Sequence, residues 1–587
     1  MRAIRCVVCL CVLLCSIRAG AQVAASSANL PTTPESIALV DLLSDYQANR
    51  RAVSSFYGMS FDVHALDRLE ALHAEAGERL AMVDFAALDQ QGKIDFLLFR
   101  TKLESHAAEL LLARTRLEEM RPLIPFAQTI ADLERRRVAM QPIDYAEVAA
   151  TLDLLDDEIK AIRARIEKGR QEGNTDEDRL VVSPVLAQRT AGTLREMART
   201  LQRWHRYYDG YKPEFSWWVS APFADAHKAL NEYAEYLRKT VAGLKGNADD
   251  PLIGDPVGRH KLLADLQAEW IPYSPEELIT IAEREFAWCE AEMRKAAHEM
   301  GLGDDWHAAL DQVKQHHAPP GEQDTLVASL AQETIDFLTE RDMITIPPLA
   351  AELWRLEMIQ PDNQDTYPFA FYGGNFMGVA YPTDTMSHEA KLMSMRGNNR
   401  HFTRAIVHHE LIPGHHLQSF IAKRERPYRR AFSTPFLFEG WCLYWEMALY
   451  EAGFPQSPED RIGMLFWRMH RCARIIVSLR FHLGEMSPTE MIEFLVDRVG
   501  HERSGATGEV RRYIGSSYSP LYQAAYMLGG LQLRQLRREL VETGTMTERD
   551  FHDTVLAYNA IPVELIRAGL TGRELTPETR TSWRFGK

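Results

Sequence analysis

A histidine and a glutamate open the most informative segment of the chain, which reads His409-Glu410-Leu411-Ile412-Pro413-Gly414-His415-His416. In a zinc peptidase helix of the type H-E-x-x-H, two imidazoles one turn apart bind the metal, and the glutamate acts as a general base on water. Here the position four residues after His409 is Pro413, which cannot bind zinc and which interrupts a helix. We therefore predict a zinc site with a broken helix, in which a later histidine completes the pair.

The later histidine is His415 or His416, and a straight helix could bring neither of them to the metal of His409. At 3.6 residues per turn, His415 would point about 240° around the helix axis from His409. His416 would be nearly aligned with His409 but about 10 Å further along the axis. A kink or bulge is therefore required, and Gly414 gives the backbone the freedom to form it.

Histidines are too frequent in this region for chance. His401, His408, His409, His415 and His416 fall within sixteen positions, where a chain with 20 histidines in 587 residues would have about half of one. The alternative to a metal site is a solvated helix that is rich in histidine. Apolar residues on both sides of the segment instead indicate a packed helix, in which buried imidazoles need partners.

A third zinc ligand is predicted at Glu439, thirty residues after His409. In zinc peptidases that use a glutamate ligand, this carboxylate comes from a second helix. Glu439 lies among aromatic residues, where an acidic side chain is costly to bury unless it is paired or binds a metal. The alternative is a carboxylate that the helix dipole favours in a first turn. Glu446, two turns further on the same helix face, could orient a ligating imidazole or bind an arginine.

Four motifs in combination resemble a known bacterial family. They are H-E-x-x-P-G-H with Gln418, E-G-W-x-x-Y from residue 439, Arg512-Tyr513, and Q-A-A-Y-x-x-G from residue 523. Together they resemble the bacterial domain-of-unknown-function family eight hundred and eighty-five over residues 210–570, whereas the first part of the chain matches only loosely. Members of that family are generally regarded as zinc metallopeptidases that are mostly helical and often exported.

The resemblance implies roles for the residues of the motifs. It makes His409, His415 and Glu439 the zinc ligands, which favours His415 over His416. It makes Glu410 the general base. The ligand set and the base agree with what the spacing of these residues indicates.

Side chains downstream could donate a hydrogen bond to the oxygen that becomes negatively charged when a peptide bond is attacked. Residues 513–526 are dense in tyrosine, and Tyr522 and Tyr526 share one face of a predicted helix. The family pattern makes Tyr526 the first candidate, followed by Tyr518, Tyr522 and His482. The alternative for each tyrosine is aromatic packing with its hydroxyl at a rim.

Residues 371–382 form one of the few strand-like stretches, with glycines, aromatic residues and a closing proline. In zinc peptidases, the strand before the metal helix often pairs with an extended substrate through backbone hydrogen bonds. We therefore predict a small β element beside the metal helix, with a glycine-rich loop as the alternative.

Apolar residues recur at helical spacing through most of the chain. We predict a mainly α, two-lobed fold of the zincin type, with an N-terminal helical lobe at residues 34–245, a catalytic zinc lobe at residues 246–587, and the cleft between them. The layout is similar to that of the thimet oligopeptidase and angiotensin-converting enzyme families, whose substrates enter a deep channel. By this analogy the substrates are short peptides.

The start of the chain predicts export. Residues 1–21 combine two early arginines, an apolar run and a small-residue cleavage site, which is typical of a secretory signal, and residues 22–33 form a flexible tail. The apolar run is too short for a membrane span. Cys15 raises a lipoprotein alternative, but Leu14 is a poor residue before a lipidated cysteine. We therefore predict a periplasmic or secreted protein without stable membrane insertion after signal removal.

Charge and cysteine content narrow the class of function. Loss of residues 1–21 removes three arginines and takes the formal net charge from −15 to −18, which argues against nucleic acid and anionic membranes as partners. The remaining cysteines, Cys289, Cys442 and Cys472, are too few for a disulfide scaffold. We predict an exported zinc metallopeptidase, a hydrolase that uses Zn²⁺ and takes a peptide substrate. The alternative is a non-catalytic metal- or peptide-binding protein of the same fold.

Overall fold

A computed structural model of the chain describes residues 31–246, 250–364, 367, 369–515 and 518–586. The secretory signal predicted at residues 1–21 lies outside the described residues. Within the described ranges the fold is mainly α, as predicted, with one small β-sheet. In these ranges every helix is too short or too polar to cross a membrane.

The helices of the first half of the chain are α1 (Pro34–Tyr57), α2 (Val63–Ala81), α3 (Gln90–Met120), α4 (Ala127–Val138), α5 (Tyr145–Arg170), α6 (Pro184–Tyr208), α7 (Pro213–Tyr236), α8 (Gly258–Ala268) and α9 (Pro275–Glu299). Those of the second half are α10 (Trp306–Lys314), α11 (Gln323–Glu340), α12 (Pro348–Leu353), α13 (His388–Gly397), α14 (Arg400–Glu410), α15 (His415–Ala422), α16 (Pro435–Glu451), α17 (Pro458–Leu483), α18 (Pro488–Phe494), α19 (Arg503–Ile514), α20 (Tyr522–Leu540), α21 (Glu548–Ala557) and α22 (Val563–Thr571). Most of the helices begin after a serine, threonine, aspartate or asparagine whose side chain accepts a hydrogen bond from the first turn.

The sheet contains three short strands, β1 (Leu356–Met358), β2 (Ala370–Tyr372) and β3 (Met377–Val379). The central strand is β3, which pairs in parallel with β1 and antiparallel with β2. The predicted β element at residues 371–382 is therefore present as most of a short hairpin. Its first strand, β2, is an edge strand of this sheet.

Two hydrophobic cores hold the helices together. The larger core joins buried residues between Leu39 and Leu103 with buried residues between Leu262 and Phe585. The smaller core lies between Met59 and Ala242 and is formed mainly by α3 to α7. Buried residues of α1 and of the first half of α3 therefore belong to the larger core, together with residues that follow position 262.

Helices α16 and α20 cross at very short distance through two glycines. A Cβ atom on Gly440 would lie 2.6 Å from the Cα atom of Gly529, and a Cβ atom on Gly529 would lie 1.8 Å from the carbonyl oxygen of Phe436. Only glycine therefore fits at both positions. The crossing fixes α20, which carries Tyr522 and Tyr526, against α16, which carries Glu439.

Helix α17 runs through the interior, and every residue from Ile462 to Leu479 is buried. A helix that is buried on all sides is expected to be apolar throughout. This stretch nevertheless contains Arg468, His470, Arg471 and Arg474. Buried cationic side chains need partners, and two of these arginines line the candidate site described next.

Candidate metal centre

The segment at residues 409–416 is interrupted at the predicted position, because α14 ends at Glu410 and α15 begins at His415. The backbone N–H of Gly414 donates to the carbonyl of His408 at 3.0 Å, which folds the linking residues back on the end of α14. A Cβ atom on Gly414 would lie 1.8 Å from the carbonyl oxygen of His409. No side chain fits there, so the glycine is a requirement of the break.

Two residues of the sequence motifs tie this break to α16. The indole Nε1 of Trp441 donates to the carbonyl oxygen of Pro413 at 2.8 Å. The amide Nε2 of Gln418 donates to the carbonyl oxygen of Leu437 at 3.2 Å. Both acceptors are buried carbonyls that need a donor, so these bonds fix the position of α15 relative to Glu439.

His409, His415 and Glu439 converge at the break. The Nε2 atom of His415 lies 3.1 Å from Oε2 of Glu439, and the Nε2 atom of His409 lies 3.6 Å from the same oxygen. Tetrahedral zinc ligands at 2.0–2.2 Å from the metal are about 3.4 Å from one another. The two distances bracket this value, and two imidazoles with one carboxylate are an accepted donor set for zinc. These residues therefore fit a zinc ion.

Cys442 is a further residue at this place, one turn along α16 from Glu439. The ligand atoms of Cys442, His409 and His415 all lie within 4.8 Å of one another. Burial and the neighbouring Glu439 carboxylate raise the pKa of the Cys442 thiol well above its usual value. Glu439 contacts both histidines through one oxygen, whereas the Cys442 thiol donates to the carbonyl oxygen of Phe438 at 3.6 Å, so Glu439 is the better third ligand.

The second nitrogen of His409 is held by a carboxylate. Its Nδ1 atom lies 2.7 Å from Oε1 of Glu446, and Nη2 of Arg471 lies 3.7 Å from that oxygen. Burial lowers the pKa of His409, but hydrogen bonds to Glu439 and Glu446 outweigh it and raise the pKa to about 9. Burial raises the pKa of the Glu439 carboxyl, but the neighbouring His415 and His409 outweigh burial and hold this pKa well below its usual range. The site therefore stabilises positive charge between buried carboxylates.

His416 faces away from this group. Its Nε2 atom lies 2.9 Å from the carbonyl oxygen of Ala350, and its Nδ1 atom lies 3.3 Å from the hydroxyl of Tyr372. His415, by contrast, stacks on Phe438 with ring centroids 4.3 Å apart, which directs its Nε2 atom to Glu439. The break thus separates two adjacent histidines into different surroundings.

Glu410 is partly exposed and lines a cavity of about 290 Å³ together with the three candidate ligands. Residues from β2, α14, α15, α16, α17, α19 and α20 form the wall of this cavity. The polar ones besides Glu410 and the ligands are Tyr367, Tyr372, Glu446, Arg471, Arg474, Glu509, Arg512, Tyr518, Tyr522 and Tyr526. A carboxylate beside the ligand group, open to a cavity, is the arrangement that general-base chemistry needs.

The tyrosines predicted as hydrogen-bond donors line the same cavity. The hydroxyl of Tyr522 donates to Oε1 of Glu439, so it holds the third ligand in place. The ring of Tyr526 stacks beside His409 with centroids 6.1 Å apart. Burial and the Glu439 carboxylate raise the pKa of the Tyr526 hydroxyl, which therefore keeps its proton and can donate it. Tyr518 packs against Tyr522 with ring centroids 4.7 Å apart.

The structure does not bring His482 into this cavity. His482 lies eight residues beyond Arg474 on α17, which is about 12 Å further along the helix. It lines a neighbouring cavity of about 420 Å³ with Asp255 and Tyr518. Burial, partly opposed by Asp255, lowers the pKa of His482 to about 4. A neutral imidazole at this place has no contact with the candidate ligands.

No role was assigned from the sequence to three residues of the cavity wall, Arg471, Arg474 and Glu509, or to Cys442 beside the candidate ligands. Arg512 entered only as part of a family motif. A signal for two of them was present, because Arg471 and Arg474 are three residues apart in a mostly apolar stretch at residues 462–479. No comparable signal identifies Glu509, which reaches the site only through the packing of α19.

Two solved structures share this fold. One is a proposed lipoprotein of unknown function from Shewanella oneidensis, which is 16% identical with a TM-score of 0.65 over 91% of this chain and 99% of that one. The other is a proposed lipoprotein from Colwellia psychrerythraea, which is 17% identical with a TM-score of 0.56 over 92% of this chain and 99% of that one. Identities this low show the fold alone.

No curated protein matches the sequence. A family model described as "Bacterial protein of unknown function (DUF885)" matches residues 60–570. The match begins well before residue 210, where the motifs alone placed its start, so the family pattern extends into the N-terminal helices. The match spans most of the chain, and this protein therefore belongs to the DUF885 family.

Proposed function

We propose that this protein is an exported zinc-dependent metallopeptidase that hydrolyses short peptides. The observation that carries the proposal is the meeting of His409 and His415 on one oxygen of Glu439, at 3.6 and 3.1 Å, beside Glu410 in a 290 Å³ cavity. His409, His415 and Glu439 would hold the zinc ion. When bound, zinc supplies Lewis-acid polarisation of a water molecule and of the peptide carbonyl.

Glu410 is the general base in this proposal. It follows His409 directly and ends α14, so its carboxylate and the imidazole of His409 reach the same cavity. It would take a proton from the attacking water and give it to the leaving amine. The contact of His409 with Glu446 keeps the imidazole of His409 in one orientation during this exchange.

Tyr526 is the first candidate to stabilise the developing oxyanion. The hydroxyl of Tyr522 is already engaged with Glu439, whereas Tyr526 lines the cavity beside His409. A neutral phenol can donate a hydrogen bond to a carbonyl oxygen that gains negative charge.

The size and wall of the cavity support a small, extended substrate. A volume of about 290 Å³ lies at the lower end of the range for small-molecule sites. Ala370, Phe371 and Tyr372 of the edge strand β2 line the cavity, so backbone pairing with a peptide is sterically available there. We propose that the fold is of the zincin type, with this cavity as the inner end of the substrate channel.

Export is supported by the solved relatives and by the sequence. Both solved structures are described as proposed lipoproteins, which are exported proteins. The start of this chain has the pattern of a secretory signal. We propose that the mature protein works in the periplasm or outside the cell.

Peptide cleavage by the zinc-loaded protein tests this function. The purified protein is incubated with a mixed library of short peptides, and products are identified by mass spectrometry. We expect defined cleavage products that disappear on treatment with a chelator and return when zinc is added. A zinc-loaded, folded protein that cleaves no peptide in the library would instead indicate a non-catalytic metal- or peptide-binding protein.

A further inference from the structure

Three arginines line the same cavity as the candidate metal ligands. Arg471 and Arg474 come from α17, and Arg512 comes from α19. The guanidinium groups of Arg471 and Arg474 each lie 4.7 Å from the ring centroid of Tyr526. Tyr526 in turn stacks beside His409 with ring centroids 6.1 Å apart. The arginines therefore lie one side chain away from the metal-binding residues.

The three arginines pair with only two carboxylates among the described residues, Glu446 and Glu509. Arg474 donates to Oε2 of Glu509 at 2.8 Å, and Arg512 pairs with the other oxygen of Glu509. Two guanidinium groups thus share one carboxylate. The carboxylate of Glu509 also accepts the hydroxyl of Tyr513 at 2.5 Å, so its acceptor sites are largely used. Burial and the nearby positive charge of Arg474 lower the pKa of Arg512.

Arg471 has a weaker partner than the other two arginines. Its nearest carboxylate is Glu446 at 3.7 Å, and Glu446 also holds His409 at 2.7 Å. The Nε atom of Arg471 is buried and, within the described part of the chain, has no hydrogen-bond acceptor. A buried, positively charged donor without an acceptor is costly in free energy. We therefore expect an anionic group in the cavity to accept a hydrogen bond from Arg471.

A carboxylate is the anion that fits this arrangement best. Guanidinium groups bind carboxylates through paired, charge-assisted hydrogen bonds, and a lysine cannot reproduce that geometry. Every peptide has one carboxylate at its C-terminus, and acidic side chains supply others. Resting on the proposed peptidase function, we propose that Arg471, Arg474 and Arg512 bind a carboxylate of the substrate, so that the preferred peptides carry a carboxylate close to the cleaved bond.

Binding to an inactive variant tests the proposal without turnover. The zinc-loaded Glu410→Gln protein is titrated calorimetrically with one N-acetylated tetrapeptide, as the free acid and as the C-terminal amide. We expect the free acid to bind about 10- to 100-fold more tightly, because it gains charge-assisted hydrogen bonds that the amide lacks. Equal affinities for the free acid and the amide, together with equal affinities for the glutamate and glutamine peptides described next, would overturn the proposal.

A second pair of peptides identifies the source of the carboxylate. Both are C-terminal amides, one with glutamate and one with glutamine as the last residue. Tighter binding of the glutamate peptide, with no difference between the free acid and amide of the first pair, assigns the arginines to an acidic side chain. Tighter binding of the free acid, with no difference between the glutamate and glutamine peptides, assigns the arginines to the C-terminal carboxylate. Either result supports a carboxylate site.

Arginine variants connect the preference to these residues. Arg512→Gln, in the Glu410→Gln background, is expected to reduce the preference for the free acid to less than about 3-fold. Arg512→Lys keeps the positive charge and should therefore retain part of the preference for the free acid. Arg503→Gln is the matched control, because Arg503 lies on the same helix, pairs with Glu493 at 2.7 Å and does not line the cavity. A preference that survives in Arg512→Gln and in Arg471→Gln would contradict the assignment.

The outcomes separate this proposal from the peptidase function. If the parent protein cleaves no peptide but Glu410→Gln binds free acids preferentially, the peptidase function fails and the carboxylate site stands. If the parent protein cleaves free acids and amides with equal kcat/KM, and also cleaves the glutamate and glutamine peptides with equal kcat/KM, the peptidase function stands and the carboxylate site fails. Zinc content and thermal unfolding of each variant confirm that the binding measurements were made on folded protein.

Discussion

Each end of α14 carries a buried histidine that pairs with a carboxylate from another helix, but the two histidines lie in different surroundings. At the N-terminal end, Nδ1 of His401 lies 2.7 Å from Oδ1 of Asp460, and Nε of Arg404 lies 3.4 Å from the same oxygen. At the C-terminal end, Nδ1 of His409 also lies 2.7 Å from a carboxylate, that of Glu446. Each pair therefore has a buried imidazole oriented by a carboxylate.

The difference lies at the second nitrogen of each imidazole. Nε2 of His401 lies 3.2 Å from Nδ1 of His316, and in the described part of the chain the carboxylate that pairs with His401 does so through Nδ1. Nε2 of His409 lies 3.6 Å from Glu439, which also contacts His415. A histidine paired with a carboxylate is thus not enough for a metal site. At His409, the break after Glu410 brings in His415 and α16 brings in Glu439 as the remaining candidate ligands. The surroundings described for His401 have neither.

The largest expected effect comes from the histidine that the break brings to the site. His415→Ala should lose stoichiometric zinc and all zinc-dependent activity, because it removes one of three ligands. His416→Ala should keep zinc, with a loss of stability of about 1–3 kcal/mol from its bond to the Ala350 carbonyl. Metal analysis after dialysis and thermal unfolding measure both effects. Zinc retained by His415→Ala but released by His416→Ala would reverse the assignment.

The next largest effect is expected from a change at Glu410, which should lower activity without loss of zinc. Glu410→Gln should keep zinc and fold but lower kcat by about 10²- to 10⁴-fold, since the amide cannot take a proton from water. Glu333→Gln is the control from the other end of α14, where Glu333 pairs with Arg404 at 2.8 Å outside the cavity. Its kcat should stay near that of the parent protein. A Glu410→Gln variant with the parent rate would show that another group is the base.

The smallest effect is expected from changes at Glu446 and Asp460, the two carboxylates that orient His409 and His401. Glu446→Gln should weaken zinc binding by about 10- to 100-fold, because a residue that orients a ligating imidazole usually contributes this much. Asp460→Asn removes the equivalent charge at His401 and should lower only the unfolding temperature. Competition with a chelating dye measures the zinc affinity of both variants. Equal zinc affinities in the two variants would remove the distinction between the two ends.

The sequence was sufficient to predict the main features of the fold and the interruption at the metal site. Helical spacing of apolar residues predicts a mainly α chain, and Pro413 with Gly414 predicts the break, because both features act within a few residues. The packing of α1 and α3 could not be predicted in this way. A loop-like break in the sequence does not reveal that α1 and α3 pack back on the larger core.

Site residues that meet only through packing were harder to predict. His408 is adjacent to His409 in the sequence, yet burial lowers the pKa of His408 to about 3 and its ring lies against Phe454. Its position one residue earlier on α14 turns it by about 100° away from the cavity. Cys442 and the arginines come together because α16, α17 and α19 pack around one space. No spacing along the chain encodes that meeting.

The most direct test of the metal centre is the zinc content of the dialysed protein and of two variants on α16. We expect one zinc per chain in the parent protein, a loss of that zinc in Glu439→Ala, and its retention in Cys442→Ser, because the Glu439 carboxylate and not the buried thiol completes the pair of histidines. A parent protein without zinc, or a Glu439→Ala variant that holds zinc as tightly as the parent, would contradict the account.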